Sequence, residues 1–177
     1  DTGDGSSPAL TSSAATVSIT VNDTVAPTLN APENVTVNTG PGATTCGAVV
    51  TEAQLGTATA TDNAGNVSVE RNGVPSGNIF PVGTTTISYT ATDDAGNTAS
   101  ATQTVTVIDN TVPTLTAPAP TSVDADSSGH GIIPDVVAGT TAIDNCGPVT
   151  VTQSPLAGTV VGTGTHVITI TATDAAG

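Results

Sequence analysis

The sequence predicts an all-β chain, and three observations carry that prediction. The first is alternation with a period of two. Ile87, Tyr89 and Ala91 alternate with Ser88, Thr90 and Thr92, and Ile168, Ile170 and Ala172 alternate with Thr169, Thr171 and Thr173. Val105 and Val107 alternate with Thr104 and Thr106, and Val17, Ile19 and Val21 with Ser18 and Thr20. Such runs, rich in β-branched residues, suit a half-buried pleated strand. The second is punctuation: Gly40-Pro41, Asn72-Gly73, Pro75-Ser76-Gly77 and Val82-Gly83 place turns between the runs, and no capped helical period is apparent. The third is repetition. Asp23 and Asp109 lie 86 residues apart, as do Pro27 and Pro113; Asp62 and Asp144 lie 82 apart, and Asp93 and Asp174 lie 81 apart. A drifting offset is what small loop deletions between repeats produce.

In chain order, these offsets divide the sequence into three pieces. Residues 1–23 read as the final strand of some unit, 24–109 as a complete unit, and 110–177 as a unit without its final strand. Several short strands per ~85 residues argue a β-sandwich of the immunoglobulin type, repeated in tandem.

Composition narrows the function. The 177 residues carry one Lys or Arg against fifteen Asp and Glu, a net charge of −14, and only 9% of residues are charged. Nothing could neutralise phosphates, so nucleic acid is not an expected partner. No apolar run reaches the ~18–20 residues of a membrane span. The polar surface is mostly Thr, Ser, Asn and Gly, as suits an extracellular protein. An enzyme is not expected: His130 and His166 stand apart from other ligand-type residues, no nucleophile motif occurs, and Arg71 is the only strong cation. Without Trp, and with only Phe80 and Tyr89 as aromatics, there is no platform for a sugar.

The ordered set Ala31-Pro32-Glu33-Asn34-Val35-Thr36-Val37, Cys46-Gly47-Ala48-Val49-Val50, Ala60-Thr61-Asp62-Asn63, Gly73-Val74-Pro75-Ser76-Gly77, Phe80-Pro81-Val82-Gly83-Thr84-Thr85-Thr86 and Tyr89 to Asn97 resembles the hyalin repeat. The resemblance covers nearly all of 24–109 and most of 110–177. It implies an immunoglobulin-like module of extracellular adhesion proteins. Members often carry two cysteines, one at the Cys46 position and one after Asp-Asn. Here the first unit has Cys46 but Ala64 after Asp62-Asn63, whereas the second has only Cys146. A bond within one unit is therefore impossible. A Cys46–Cys146 bond between units and two free, half-buried thiols both stay open.

In such a sandwich the loops after the second strand and before the last strand share a pole with the incoming linker. That gathers Asp23, Asp62, Asn63, Asp93, Asp94 and Asn97 at one junction, and Asp109, Asn110, Asp144, Asn145 and Asp174 at the other. Clustered carboxylates repel, and a hard cation resolves that. Ca²⁺ takes six to eight oxygen ligands in flexible geometry, so Ca²⁺ is the expected cofactor. The competing reading makes the same Asp and Asn simple turn formers. Asp1-Thr2-Gly3-Asp4-Gly5 is a weaker acidic turn. Asn22, Asn34 and Asn66 begin N-glycosylation sequons, of which Asn34 and Asn66 are the candidate acceptors.

The two incomplete pieces are complementary. Val17, Ile19 and Val21 form an assembly strand with the period of a final strand. Residues 11–23 of one molecule would complete 110–177 of the next, giving a head-to-tail filament by donor-strand complementation. Alternatively the chain is a stretch of adjacent repeats in a longer surface adhesin or an accessory binding module of a secreted protein.

Overall fold

The computed structural model describes residues 13–176. The acidic turn predicted at Asp1–Gly5 lies outside them. The described chain is all-β apart from three single turns of helix, and its layers are consistent with a β-sandwich.

Residues 24–109 hold β1 (Thr28–Asn30), β2 (Val35–Asn38), β3 (Gly47–Val49), a helical turn α1 (Glu52–Leu55), β4 (Thr59–Thr61), β5 (Val67–Asn72), β6 (Ile79–Pro81), β7 (Gly83–Asp93) and β8 (Thr98–Ile108). The main sheet has the order β2-β8-β7-β5, with β2 parallel to β8 and the rest antiparallel. Two small antiparallel pairs, β1–β4 and β3–β6, supply the opposing face. The alternation now has a physical meaning: Ile87, Tyr89 and Ala91 of β7 and Gln103, Val105 and Val107 of β8 are at most 2% exposed. They close on Val50, Leu55 and Phe80.

The sequence reading found no capped helix, and α1 corrects it. The Thr51 hydroxyl accepts the Gln54 N–H at 3.3 Å, while the Gln54 side chain accepts the Thr51 N–H at 2.9 Å. This reciprocal cap is written in Thr51-Glu-Ala-Gln54 and was legible there. Its one turn seats Leu55 in the core. Arg71, the only cation of the chain, is committed to Glu52 through two hydrogen bonds of 2.8 and 3.1 Å.

Residues 110–176 hold β9 (Thr114–Thr116), β10 (His130–Ile132), β11 (Thr141–Ile143), β12 (Thr150–Ser154), β13 (Val160–Gly162) and β14 (Thr169–Thr173). The pairings recur: β9–β11 repeats β1–β4, β10–β13 repeats β3–β6, and β12–β14 repeats β5–β7. Gly139 packs on Pro118 as Gly56 packs on Pro32. Among the described residues nothing takes the place of β8. The edge of β14 borders an open groove of about 530 Å³ lined in part by Val123, Ile133, Ile168 and Ile170. Residues 13–22 form no strand, and Val17, Ile19 and Val21 are 87%, 84% and 90% exposed.

Candidate metal centres

The acidic loops are built alike. Asp23 accepts the Val25 N–H at 3.0 Å, Asp62 that of Ala64 at 2.9 Å, and Asp93 those of Ala95 and Asn97 at 2.9 and 2.8 Å. The second unit repeats this: Asp109 accepts the Thr111 N–H at 3.1 Å, Asp144 that of Cys146 at 2.8 Å, and Asp174 that of Ala176 at 2.9 Å. Each aspartate thus closes its own turn with a carboxylate oxygen, as the turn-forming reading expects.

In Asp23, Asp62 and Asp144 the turn takes one carboxylate oxygen and leaves the other. Asp23, Asp62 and Asp93 each offer a carboxylate oxygen, all within 4.8 Å of one another, and Asp109, Asp144 and Asp174 do the same. Buried Asp23 Oδ2, Asp62 Oδ1, Asp144 Oδ1 and Asn145 Oδ1 have no hydrogen-bond partner among the described residues. Oxygens 2.3–2.6 Å from one Ca²⁺ lie at most about 5.2 Å apart, so the spacing suits a shared ion. A buried carboxylate oxygen with no partner otherwise costs stability.

Donors hold the most buried member of each trio in its charged form. Burial pushes the Asp93 carboxyl up, but the Asn97 side chain and the N–H groups of Asn97, Ala95 and Gly96 outweigh it and hold it below the ordinary range. At Asp109 the Thr111 N–H lowers the pKa most; burial opposes it, and Thr39, Asn145 and the Thr111 hydroxyl reinforce it.

The other predicted site residues fall differently. Asn97 joins the first trio's loops by donating to Asp93 at 2.8 Å and to the Asp23 carbonyl at 3.4 Å. Asp94 stands outside that trio and accepts the Asn66 N–H at 2.9 Å. Asn63 is exposed. Asn110 accepts the Gly40 N–H at 2.9 Å, and Asn145 donates to the Thr45 carbonyl at 3.1 Å. Of the sequon residues, Asn34 accepts the Thr104 N–H at 2.8 Å, while Asn66 donates to Asp94 at 3.3 Å; both are exposed.

Sequence reasoning missed the clasp on which the second trio sits. Thr39 donates to Asp109 at 2.9 Å, and the Thr111 hydroxyl donates to the Gly40 carbonyl at 2.9 Å. One loop of the first unit therefore grips the linker into the second. Beside it Cys46 and Cys146 form a disulfide, with Cα atoms 4.6 Å apart. This decides the open question in favour of a bond across the junction rather than two free thiols.

A disulfide-linked, acidic all-β repeat belongs to an oxidising compartment, and the class it defines is an extracellular or cell-surface module. Comparison with known proteins agrees. Residues 22–107 match the HYR domain family. Hyalin of Strongylocentrotus purpuratus is 40% identical over 100 residues, covering 54% of this chain and 8% of the hyalin. Hyalin of Lytechinus variegatus is 35% identical over 126 residues, covering 67% of this chain and 23% of the hyalin. Residues 22–107 are a hyalin repeat. The family is an adhesion-type, non-enzymatic one. The chain spans less than a quarter of either curated relative. No helix among the described residues is long and apolar enough to cross a membrane.

Proposed function

We propose that the chain is a non-catalytic structural segment of an extracellular rod or filament: tandem immunoglobulin-like units whose junctions are stiffened by Ca²⁺. The observation that carries the reading is the repeated trio of aspartates at the two unit boundaries, with buried oxygens of Asp23, Asp62, Asp144 and Asn145 left without a hydrogen-bond partner among the described residues. Asp23, Asp62 and Asp93 would hold one ion, and Asp109, Asp144 and Asp174 the other, with Asn145 Oδ1 available to the second. Each ion would tie a linker to the two loops it meets and so restrict bending.

The same reading gives the groove beside β14 a strand like that of residues 13–21, supplied by another unit. Between molecules this is donor-strand complementation of 110–177, head to tail. The small share of the hyalins that the chain covers favours a second version, in which the units are stalk repeats of a longer polypeptide.

The test of the cation reading is a thermal melt of the whole chain in chelator and in Ca²⁺. Binding to the folded state alone adds about 2.7 kcal/mol at 100 times Kd, so Ca²⁺ should raise the melting temperature by several degrees. Asp62→Asn and Asp144→Asn should each remove part of the rise. A melt indifferent to chelation would sink the cation reading. Size-exclusion chromatography and electron microscopy test assembly: Val17→Asp with Ile19→Asp should convert head-to-tail oligomers to monomers.

A further inference from the structure

We infer that the Cys46–Cys146 bond is a working part of the second cation centre. With the bond closed the centre binds Ca²⁺ at least ~10-fold more tightly than with it open, and the bound ion in turn protects the bond from thiol reductants. The inference rests on the reading that the aspartate trios hold Ca²⁺.

The ligands of the second centre reach it from two sides of the junction. Asp109 is gripped by the first unit, whose Thr39 hydroxyl donates to it at 2.9 Å. Asp144 and Asn145 come from a loop of the second unit, and their Oδ1 atoms are buried without a hydrogen-bond partner among the described residues. That loop closes on Cys146, whose N–H donates to Asp144 at 2.8 Å. The Asn145 amide reaches across the junction and donates to the Thr45 carbonyl at 3.1 Å. Next to this contact the disulfide holds the Cα atoms of Cys46 and Cys146 4.6 Å apart. Two adjacent pairs, Thr45-Cys46 and Asn145-Cys146, therefore pin the ligand loop to the first unit. Opening the bond leaves the loop's position to hydrogen bonds and to the linker. The ion must then gather ligands from two segments that can part, and that ordering is subtracted from its affinity. Coupling between linked sites typically runs from ~5- to ~150-fold.

The first centre supplies the comparison. Asp62 closes the same turn by accepting the Ala64 N–H at 2.9 Å, and Ala64 stands where the second unit has Cys146. Asp23, Asp62 and Asp93 gather without a covalent tie. The centres share ligand type and turn, so reduction of the bond should act on the second and spare the first.

The bond is within reach of a reductant, because Cys46 is exposed. A dithiol attacks one sulfur as its thiolate and forms a mixed disulfide. Its second thiol then closes the reductant's own disulfide, and Cys46 and Cys146 take up two electrons and two protons as thiols. Linkage requires the ion to oppose this reaction by the same factor with which the bond favours the ion. A tenfold factor is about 30 mV in the potential of the pair.

The test uses the full chain in two backgrounds. Asp23→Asn with Asp62→Asn leaves the second centre, and Asp144→Asn with Asp174→Asn leaves the first. On calorimetric titration with Ca²⁺, adding Cys46→Ser with Cys146→Ser should weaken the second centre at least ~10-fold and change the first less than ~2-fold. In the unsubstituted chain, opening the bond with dithiothreitol should need an at least ~10-fold higher ratio of reduced to oxidised reagent in saturating Ca²⁺ than in chelator. Asp144→Asn should abolish that protection, and Asp62→Asn should leave it. This second measurement needs no cysteine substitution, so it decides the matter even where the serine chain fails to fold. Equal Ca²⁺ affinity of the second centre with the bond closed and open, equal weakening of both centres, or protection that Asp62→Asn also removes overturns the link and leaves the cation reading standing. Absence of Ca²⁺ binding at both centres with the bond closed overturns the two together.

Discussion

Replacing Gln103 with leucine is the sharpest probe of the first unit's core. The side chain is fully buried, and its amide serves three partners at 2.6–2.9 Å: Glu33 O, Leu55 O and Tyr89 Oη. Leucine fills much of the volume but answers none of them. A buried polar group left without a partner costs about 1–3 kcal/mol. With three groups affected, and the hydroxyl free to rotate, the expected loss is roughly 3–6 kcal/mol. A domain has only about 5–15 kcal/mol to lose, so the first unit should become marginal. Urea unfolding followed by far-ultraviolet circular dichroism reads the effect as a fall in midpoint at constant slope. Adding Tyr89→Phe removes one orphan and should return about 1 kcal/mol. A loss under about 1 kcal/mol would refute the claim that this amide holds β8 to the opposing layer.

Two further outcomes are expected. Cys46→Ser with Cys146→Ser removes a bond of sequence separation 100; the chain-entropy account puts its ceiling near 4.7 kcal/mol, so a loss of about 2–4 kcal/mol is expected, and an unchanged urea midpoint would contradict it. The Asp93 and Asp109 carboxyls are held below their ordinary range when folded, so their stabilisation is present above the unfolded pKa of about 3.9 and is lost as pH falls through the lower folded values. Melting temperature without added metal should therefore drop below about pH 4, and Asp109→Asn should flatten that drop.

Much of this was legible in the sequence because repetition is robust to detail. The alternation in 87–92 and 104–107 became the inward face of the main sheet, and the repeat offsets brought the right aspartates together. What escaped was decided by single contacts between distant segments. Asp94 reads like Asp93, but Asn66 draws it away from the trio. The Thr39 clasp involves a residue type that fills the chain, so no local signal separates Thr39 from its neighbours. The cysteine pair could not be assigned because one cysteine in each unit fits a bond across the junction as well as two free thiols, and the sequence does not say how closely the two units approach. Only α1 was missed despite a readable signature, at Thr51 and Gln54.

The junction disulfide also changes how the molecule carries load. Tension applied at the two ends passes along the backbone to Cys46, crosses to Cys146 and leaves toward residue 176. Everything from Gly47 to Asn145, including β7, β8 and the linker at Asp109, hangs as a slack loop beside that path. Fully drawn out, those residues would span on the order of 330–360 Å. While the bond is intact none of that length can be released, so force can lengthen the first unit only through the segment before Cys46, which carries β1 and β2.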